Sequence, residues 1–261
     1  MERSSLKERL KNGEKVIGTW NIIPSPSLVE AIGYGGLDFI IIDAEHGPVG
    51  METAENLVRA AQVSGMAPSI RVADNVAHLI LRALDIGAYG IQVPHISTVK
   101  EAEKVVEYAK YHPQGKRGLS VFTRDAKFGI AAKNHVSNSN PEKMIIINIE
   151  GIEGIKNLAK IVDVQEVDVI FIGPYDLSQS LGKPGKVNDP EVINIIKSSA
   201  KLIRDKAKVC GSFAADPTYL KILVDCGIQY ITYTVDCEMI SSNYKHLKDS
   251  FKKLIRSKGK V

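Results

Sequence analysis

The sequence predicts a closed (β/α)₈ barrel, in which eight parallel strands alternate with helices. Three observations lead to this prediction: eight short apolar segments rich in β-branched residues, helical patterns between them, and a length of 261 residues. Segments 39–42 and 145–147 are apolar throughout rather than alternating, which is typical of parallel strands buried on both faces. An open doubly wound sheet is the alternative, but closure has the advantage that it leaves no exposed edge strand.

The elements follow one another as strand then helix along the chain. Ser27 and Thr98 each precede a glutamate three residues later, as in a capping box, and Asp189 and Asp216 each precede a first-turn proline. These signals mark helix starts between the apolar segments. The strands are predicted at 15–20, 38–43, 67–71, 89–93, 144–149, 168–172, 208–213 and 228–235.

Two segments depart from this rhythm. Residues 111–143 connect the fourth helix to the fifth strand, and so long a connection is expected to be a lid, a subunit contact or a disordered segment. Residues 238–256 form a basic amphipathic helix, predicted as a solvated face or a subunit contact. With these two segments included, residues 1–261 are predicted to form a single barrel domain.

Composition excludes several classes of function. Thirty-four Lys and Arg against 30 Asp and Glu give a net charge of +4, but the excess lies mainly in the last helix and only 6% of residues are aromatic, so no nucleic-acid partner is expected. No segment approaches the ~18 apolar residues of a membrane span. The three cysteines lack zinc spacing and are expected to be reduced thiols of a cytoplasmic protein. The glycine-rich stretches match no nucleotide motif, so no organic cofactor is expected.

Ionisable residues follow several predicted strands, at the end of a barrel where enzymes place their chemistry. Glu150 and Asp176 follow the fifth and sixth strands, so their carboxylates are expected roughly 5 Å apart. Such a pair suits a hard divalent cation, either Mg²⁺ or Mn²⁺. The alternative is a pair of helix caps.

Two further side chains are candidates for the same site. Arg71 ends the third strand and would bind a substrate carboxylate, or else form a surface ion pair. His46 follows the second strand and would act as a general base near neutral pH, or else be a polar loop residue. Lys15, Lys143 and Lys208 stand at strand beginnings, which argues against an aldolase that forms an imine on lysine.

With these residues assembled, the chain resembles the metal-dependent class II pyruvate aldolases of the HpcH/HpaI family, which includes 2-dehydro-3-deoxyglucarate and 4-hydroxy-2-oxoheptanedioate aldolases. The resemblance spans most of the chain in order and is loosest in the last third. Its motifs are GTW at 18–20, DFIIIDAEHGP at 38–48, RV at 71–72, LDIGA at 84–88, VPH at 93–95, YHPQGKRG at 111–118, IE at 149–150 and FIGPYDLS at 171–178.

The resemblance implies reversible cleavage of a 4-hydroxy-2-oxo acid, such as a 2-keto-3-deoxy sugar acid or a related diacid, to pyruvate and an aldehyde. It implies Mg²⁺ or Mn²⁺, with Co²⁺ also acceptable, on Glu150 and Asp176. It further implies that His46 is the acid/base, that Arg71 stabilises the enolate and that Asp85 raises the basicity of the histidine. An acyl-CoA lyase of the same superfamily and a catalytically silent barrel that binds a keto acid are the alternatives.

Two departures and one placement qualify what the resemblance implies about the substrate pocket. Asn148 stands where the family commonly has Gln, and Tyr175 where it has a small residue, so both are expected to contact substrate beside Asp176. Asp85 falls late in the third predicted helix, away from His46 in the same barrel. The resemblance implies a homo-oligomer, such as a hexamer with shared active sites, in which a neighbouring subunit completes the site.

Overall fold

The eight strands close into one parallel barrel, and their order around it follows the chain. In this computed structural model, which describes residues 5–258, the last strand pairs with the first and closes the sheet. This excludes the open doubly wound sheet and confirms the predicted barrel. Strands β1 to β8 are Val16–Asn21, Phe39–Asp43, Ala67–Arg71, Gly90–Val93, Met144–Ile149, Val169–Ile172, Val209–Ala214 and Tyr230–Val235.

Each strand begins and ends within two residues of its predicted bounds. Eleven α-helices lie between and around the strands of the described chain. Helices α1 to α11 are Leu6–Lys11, Pro26–Tyr34, Met51–Val63, Ala77–Asp85, Val99–Ala109, His135–Glu142, Ile152–Ile161, Pro174–Ser180, Pro190–Asp205, Pro217–Asp225 and Asp236–Lys258.

The predicted helix starts are confirmed at three positions and wrong at one. Thr98 caps α5 in a reciprocal capping box with Glu101, and Asp189 and Asp216 cap α9 and α10. Helix α2, however, begins at Pro26, because Ser25 accepts a hydrogen bond from the amide of Leu28 at 3.4 Å and the proline occupies the first turn. Ser27 is therefore inside the helix rather than its cap.

Two apolar layers hold the barrel together. One lies between the sheet and the surrounding helices, and the other fills the barrel interior, where Phe39 stacks on Tyr230 with ring centroids 4.0 Å apart. Side chains alternate along a strand, so residues two apart share a face. Asp43 therefore projects into the barrel on the same side as Phe39 and Ile41, but at the carboxyl end of β2. The sequence alternation thus places polar residues on top of an apolar interior.

The long connection 111–143 lies at the opposite end, where the strands begin. Lys143 donates to the carbonyl of Ala88 at 2.8 Å and Arg124 to that of Ile86 at 3.0 Å, both just before β4. The segment contains two short 3₁₀ turns and α6. It forms no lid over the strand ends, so of the three alternatives the lid is wrong. Its exposed Phe122 and Ile130 are consistent with the expected subunit contact.

Helix α11 differs from the other long helices because it has almost no buried face. Asp236, its first residue, is buried and accepts from the backbone amides of Ile22 and Ile23, which ties the helix start to the end of β1. Beyond it, residues 237–248 and 251–256 are exposed. The helix spans Asp236–Lys258, whereas the sequence predicts it at 238–256. Within the described chain, no helix is at once long and apolar enough to cross a membrane.

Candidate active site

A cavity of about 340 Å³ opens at the carboxyl ends of the strands. This volume falls at the small end of the range for small-molecule sites, about 300–1,000 Å³. The structure brings six of the seven predicted site residues to its walls and leaves out Asp85. The six are His46, Arg71, Asn148, Glu150, Tyr175 and Asp176.

An ion pair between neighbouring strands forms the floor of the cavity. Asp43 ends β2 and Arg71 ends β3, and the two residues are paired in the sheet register. Arg71 donates from Nε and Nη2 to the two oxygens of Asp43, at 2.9 and 2.6 Å, in a bidentate arrangement. The guanidinium also lies 4.3 Å from the ring centroid of Trp20. Arg71 is therefore held rigidly at the cavity.

Asp43 also shapes the loop that carries the histidine. Its Oδ1 accepts hydrogen bonds from the backbone amides of Glu45 at 3.1 Å and His46 at 3.2 Å. This turn projects the imidazole of His46 outward, where its side chain is 68% exposed and its Nε2 lies 3.9 Å from Oε1 of Glu45. The histidine thus reaches the cavity mouth with access to both solvent and substrate.

A chain of charged contacts continues from Arg71 to Glu150. Nη1 of Arg71 lies 3.0 Å from Oε2 of Glu45, whose Oε1 lies 3.1 Å from Nε2 of His95. The other ring nitrogen of His95 lies 3.1 Å from Oε1 of Glu150, and the His95 amide donates to the same oxygen at 2.8 Å. His95 adopts a φ of 58°, a strained left-handed conformation that aims both groups at one carboxylate.

Glu150 is a buried carboxylate in an acidic environment. Burial raises its pKa above the ordinary value, and the charges of Asp176 and Glu45 raise it further, while the amide and charge of His95 lower it. Asn148, also buried, donates to Oε2 of Glu150 at 3.3 Å and accepts from Gln92 at 2.7 Å. Asn148 therefore orients Glu150 as well as lining the cavity.

The donor set fits a hard divalent cation. Carboxylate oxygens are its preferred ligands, and a positive ion here would relieve the repulsion that raises the pKa of Glu150. Within residues 5–258, no group of three or more His, Cys, Asp and Glu side chains is arranged around a common metal position. Glu150 and Asp176 both line the cavity and could hold such an ion, with water and substrate oxygens completing its coordination.

Asp85 lies at the far end of the barrel from His46. It is the last residue of α4, and its Oδ1 lies 2.5 Å from Nη2 of Arg117, whose side chain is fully buried. Arg117 also lies over the ring of Tyr111 at 4.6 Å. Within this chain Asp85 therefore neutralises a buried arginine and does not reach the histidine.

We expect Asp85→Asn to lower the free energy of unfolding by about 1–3 kcal/mol, because the Arg117 guanidinium would lose its closest charged acceptor. Thermal melting followed by circular dichroism measures this effect. Asp225→Asn is the matched control, since Asp225 also ends a helix but pairs with Lys221 at the surface. Equal melting temperatures for the two variants would contradict this role.

Sequence reasoning missed part of the site. Glu45 and His95 both follow strand ends, and that position was a usable signal, but neither was selected as a site residue. Trp20, Phe171 and Phe213 were missed because an aromatic residue in a strand is usually core. Only the interior-facing register shows that these rings reach the cavity.

Comparison with known proteins shows aldolases among the relatives. The 2-keto-3-deoxy-L-rhamnonate aldolase of Escherichia coli (strain K12) is 33% identical over 236 residues, which is 90% of this chain and 88% of that one. The 5-keto-4-deoxy-D-glucarate aldolase of Citrobacter koseri is 32% identical over 91% of this chain and 92% of its own. A solved HpcH/HpaI aldolase/citrate lyase family protein from Burkholderia cenocepacia J2315 superposes with a TM-score of 0.91 at 27% identity, covering 95% of this chain and 98% of that one.

This chain is a barrel with polar groups gathered at the strand ends, and its relatives over nearly its whole length are aldolases. It is therefore a carbon–carbon lyase. The family model for HpcH/HpaI aldolase/citrate lyase matches residues 17–241. The chain belongs to this family, as its motifs predict.

Proposed function

We propose that this chain is a divalent-metal-dependent aldolase that reversibly cleaves a 4-hydroxy-2-oxo acid to pyruvate and an aldehyde. The observation that carries the proposal is the buried carboxylate of Glu150, which shares a cavity with Asp176, Arg71 and His46. The relatives support it, because their names refer to 2-keto-3-deoxy and 5-keto-4-deoxy sugar acids. These are acids of the type that yields pyruvate or a close analogue by such a cleavage.

Glu150 and Asp176 would hold the metal, for which Mg²⁺ and Mn²⁺ are the expected choices and Co²⁺ is acceptable. When bound, such a cation polarises a substrate carbonyl and offsets the negative charge that develops there during cleavage. Asn148 and His95 hold the Glu150 carboxylate in place from opposite sides. They thereby pre-orient the ligand before the metal arrives.

Arg71 binds the carboxylate of the pyruvyl half. Asp43 accepts hydrogen bonds from Nε and from one N–H of Nη2, and Nη1 forms an ion pair with Oε2 of Glu45 at 3.0 Å, so both terminal nitrogens retain N–H groups for substrate. The bidentate hold of Asp43 prevents the guanidinium from turning away. Arg71 therefore offsets the charge that develops on the pyruvyl half of the substrate, at a position set by the sheet.

His46 moves the proton of the 4-hydroxyl group, removing it in cleavage and returning it in synthesis, directly or through a water molecule. Its exposure at the cavity mouth allows exchange of that proton with solvent. Glu45, 3.9 Å from Nε2, supplies the carboxylate nearest to the imidazole within the described chain. Because Asp85 does not reach the imidazole within this chain, Glu45 is the carboxylate that would stabilise its protonated form.

Metal removal tests the proposal. We expect exhaustive chelation to abolish pyruvate release from 4-hydroxy-2-oxo acids, measured by coupling to lactate dehydrogenase, and Mg²⁺ or Mn²⁺ to restore it. Borohydride with pyruvate should leave the protein unmodified, because no lysine lines the cavity in the described structure. Activity that survives chelation, or a trapped imine, would contradict the mechanism. CoA-dependent turnover would favour an acyl-CoA lyase. Binding of pyruvate and metal without release of pyruvate from any 4-hydroxy-2-oxo acid would favour a catalytically silent barrel that binds a keto acid.

We also propose that the chain forms a homo-oligomer through helix α11. Tyr244, Leu247 and Phe251 are exposed on one face of this helix, at the spacing of a packed helical face. A helix of 23 residues with an exposed apolar face buries that face against another surface. A second copy of this chain is the proposed partner, and a hexamer with shared active sites is what the family resemblance implies. The pairing of Asp85 with His46 would then have to occur between subunits.

Introducing charges on the apolar face of α11 tests this association. We expect the double variant Leu247→Glu, Phe251→Glu to lower the molar mass measured by light scattering after size exclusion, because charges would be buried in the contact. Ser242→Glu, on the opposite face of the same helix, should leave the mass unchanged. An unchanged mass for the double variant would contradict an interface at α11.

Cysteine chemistry supports a cytoplasmic location. Cys210, Cys226 and Cys237 are all free thiols. Burial raises the pKa of Cys210 to about 12, so its thiol stays protonated and unreactive. Unpaired thiols are typical of proteins in a reducing compartment.

A further inference from the structure

Two sets of side chains line the cavity, here called its charged wall and its apolar wall, and Trp20 contacts members of both. Arg71 stacks over one face of the indole, while the edge of that ring meets Phe171 at a centroid distance of 6.0 Å and 81°. The charged wall holds the residues assigned above to the metal and to the pyruvyl half. The apolar wall consists of Trp20, Ile22, Phe171, Tyr175, Phe213 and Val235.

The apolar wall is rigid and offers few hydrogen-bond partners. The indole N–H of Trp20 is already engaged with Thr232 at 3.0 Å, and the backbone of Ile22 is held by Asp236. Tyr175 and Phe213 meet edge to face, with centroids 5.6 Å apart. Apart from the Tyr175 hydroxyl, the side chains of this wall leave no free polar group for a substrate hydroxyl. A hydroxylated chain lying here would lose its water without replacement partners.

The cavity residues of this chain provide no cation for a second substrate carboxylate. Asp43, Glu150 and Asp176 line the cavity, and Glu45 lies just behind Arg71. Among residues that the structure describes, no lysine lines the cavity and Arg71 is its only guanidinium. Arg71 is engaged by two carboxylates and assigned to the pyruvyl half. A carboxylate on the aldehyde half would therefore find no cationic side chain of this chain left to pair with it.

We propose that the aldehyde half handled by this site is uncharged and apolar, an alkyl or aryl aldehyde, rather than a semialdehyde carboxylate or a polyhydroxylated aldehyde. The inference rests on the proposed aldolase function, because it assigns the charged wall to pyruvate. The apolar chain lies against the Tyr175 and Phe213 rings, which bury it more completely than a small residue at position 175 would. The cavity, about 340 Å³, also limits the aldehyde to a compact one.

The experiment separates this inference from the proposed function in two measurements. The first follows exchange of the pyruvate methyl protons with D₂O by NMR, with Mg²⁺ present and no aldehyde. The second compares kcat/KM for aldol addition of pyruvate to butanal and benzaldehyde with that for glyceraldehyde and succinic semialdehyde. We expect exchange to occur and the apolar aldehydes to be preferred by about tenfold or more. Exchange with equal or reversed preference overturns the inference alone, and absence of exchange overturns the aldolase function with it.

Variants of Tyr175 and Phe213 test whether these two rings cause the preference for apolar aldehydes. In Phe213→Ala and Tyr175→Ala, the kcat/KM ratio of butanal to glyceraldehyde should fall by about tenfold, because each removes a large part of the apolar surface. Phe213→Leu, which keeps the core packed, should lower the ratio less and serves if the alanine variant does not fold. Tyr34→Ala, an exposed tyrosine at the end of α2, should keep the parent ratio. An unchanged ratio in all three cavity variants overturns the assignment of this wall.

Discussion

Glu150→Gln is expected to lower kcat/KM for pyruvate release by about 10³-fold, since metal-ion charge stabilisation is worth several kcal/mol and each ~1.4 kcal/mol is tenfold. The substitution keeps the shape of the side chain and its hydrogen bond from the His95 amide, so the local fold should survive. What it removes is the anionic ligand. Direct titration with Mn²⁺, followed by electron paramagnetic resonance, should show at least a 10- to 100-fold weaker affinity.

The pKa of Glu150 gives this prediction a second consequence. Its buried carboxylate is disfavoured by burial and by two neighbouring acids, so the neutral amide should not reduce stability. We expect the melting temperature of the metal-free variant to equal or exceed that of the metal-free parent. Glu153→Gln, at an exposed position in the first turn of α7, is the matched control and should leave activity and Mn²⁺ affinity unchanged. Normal Mn²⁺ affinity in Glu150→Gln would rule out Glu150 as a ligand.

His46→Ala is expected to lower kcat by about 10² to 10⁴, the usual contribution of a positioned general acid or base. The melting temperature should change little, because the His46 side chain is mostly exposed and its loop is held by Asp43 through backbone amides. Pyruvate release, measured by coupling to lactate dehydrogenase, gives the effect.

His78→Ala provides the comparison for His46, since His78 is an exposed histidine on α4, away from the cavity. It should retain the parent kcat and pH profile. If His46→Ala keeps more than a tenth of the parent kcat at its pH optimum, another group moves the proton. Glu45 is then the nearest candidate, because it lies between Arg71, His46 and His95.

The strands were predictable because their residues carry both propensity and periodicity. Residues 39–42 of β2 and 144–147 of β5 are continuous apolar runs, as is typical of parallel strands buried on both faces. The start of α2 was not predictable in the same way. Ser27 has the capping-box spacing to Glu30, but Pro26 enters the first turn and makes Ser25 the cap. Local sequence does not resolve a shift of two residues there.

The partner of Asp85 could not be predicted from its position in the sequence. The sequence places it late in a helix, and the structure confirms that position, yet its partner Arg117 lies on the long connection that the sequence left open. The contacts of His95 at the cavity could not be predicted from its position either. His95 is one residue beyond the VPH motif's proline, but only its left-handed backbone directs both its ring and its amide to Glu150.

The sequence by itself determined the barrel, its eight strands and the set of ionisable residues at their carboxyl ends, because strand propensity, capping and chain order are local properties. The tertiary structure decided which of those residues meet. Barrel closure and the inward register bring Arg71, Glu45, His95 and Glu150 into one chain of charged contacts, and send Asp85 to the opposite end. Contacts between distant strands depend on the geometry of the closed sheet, which no local pattern encodes.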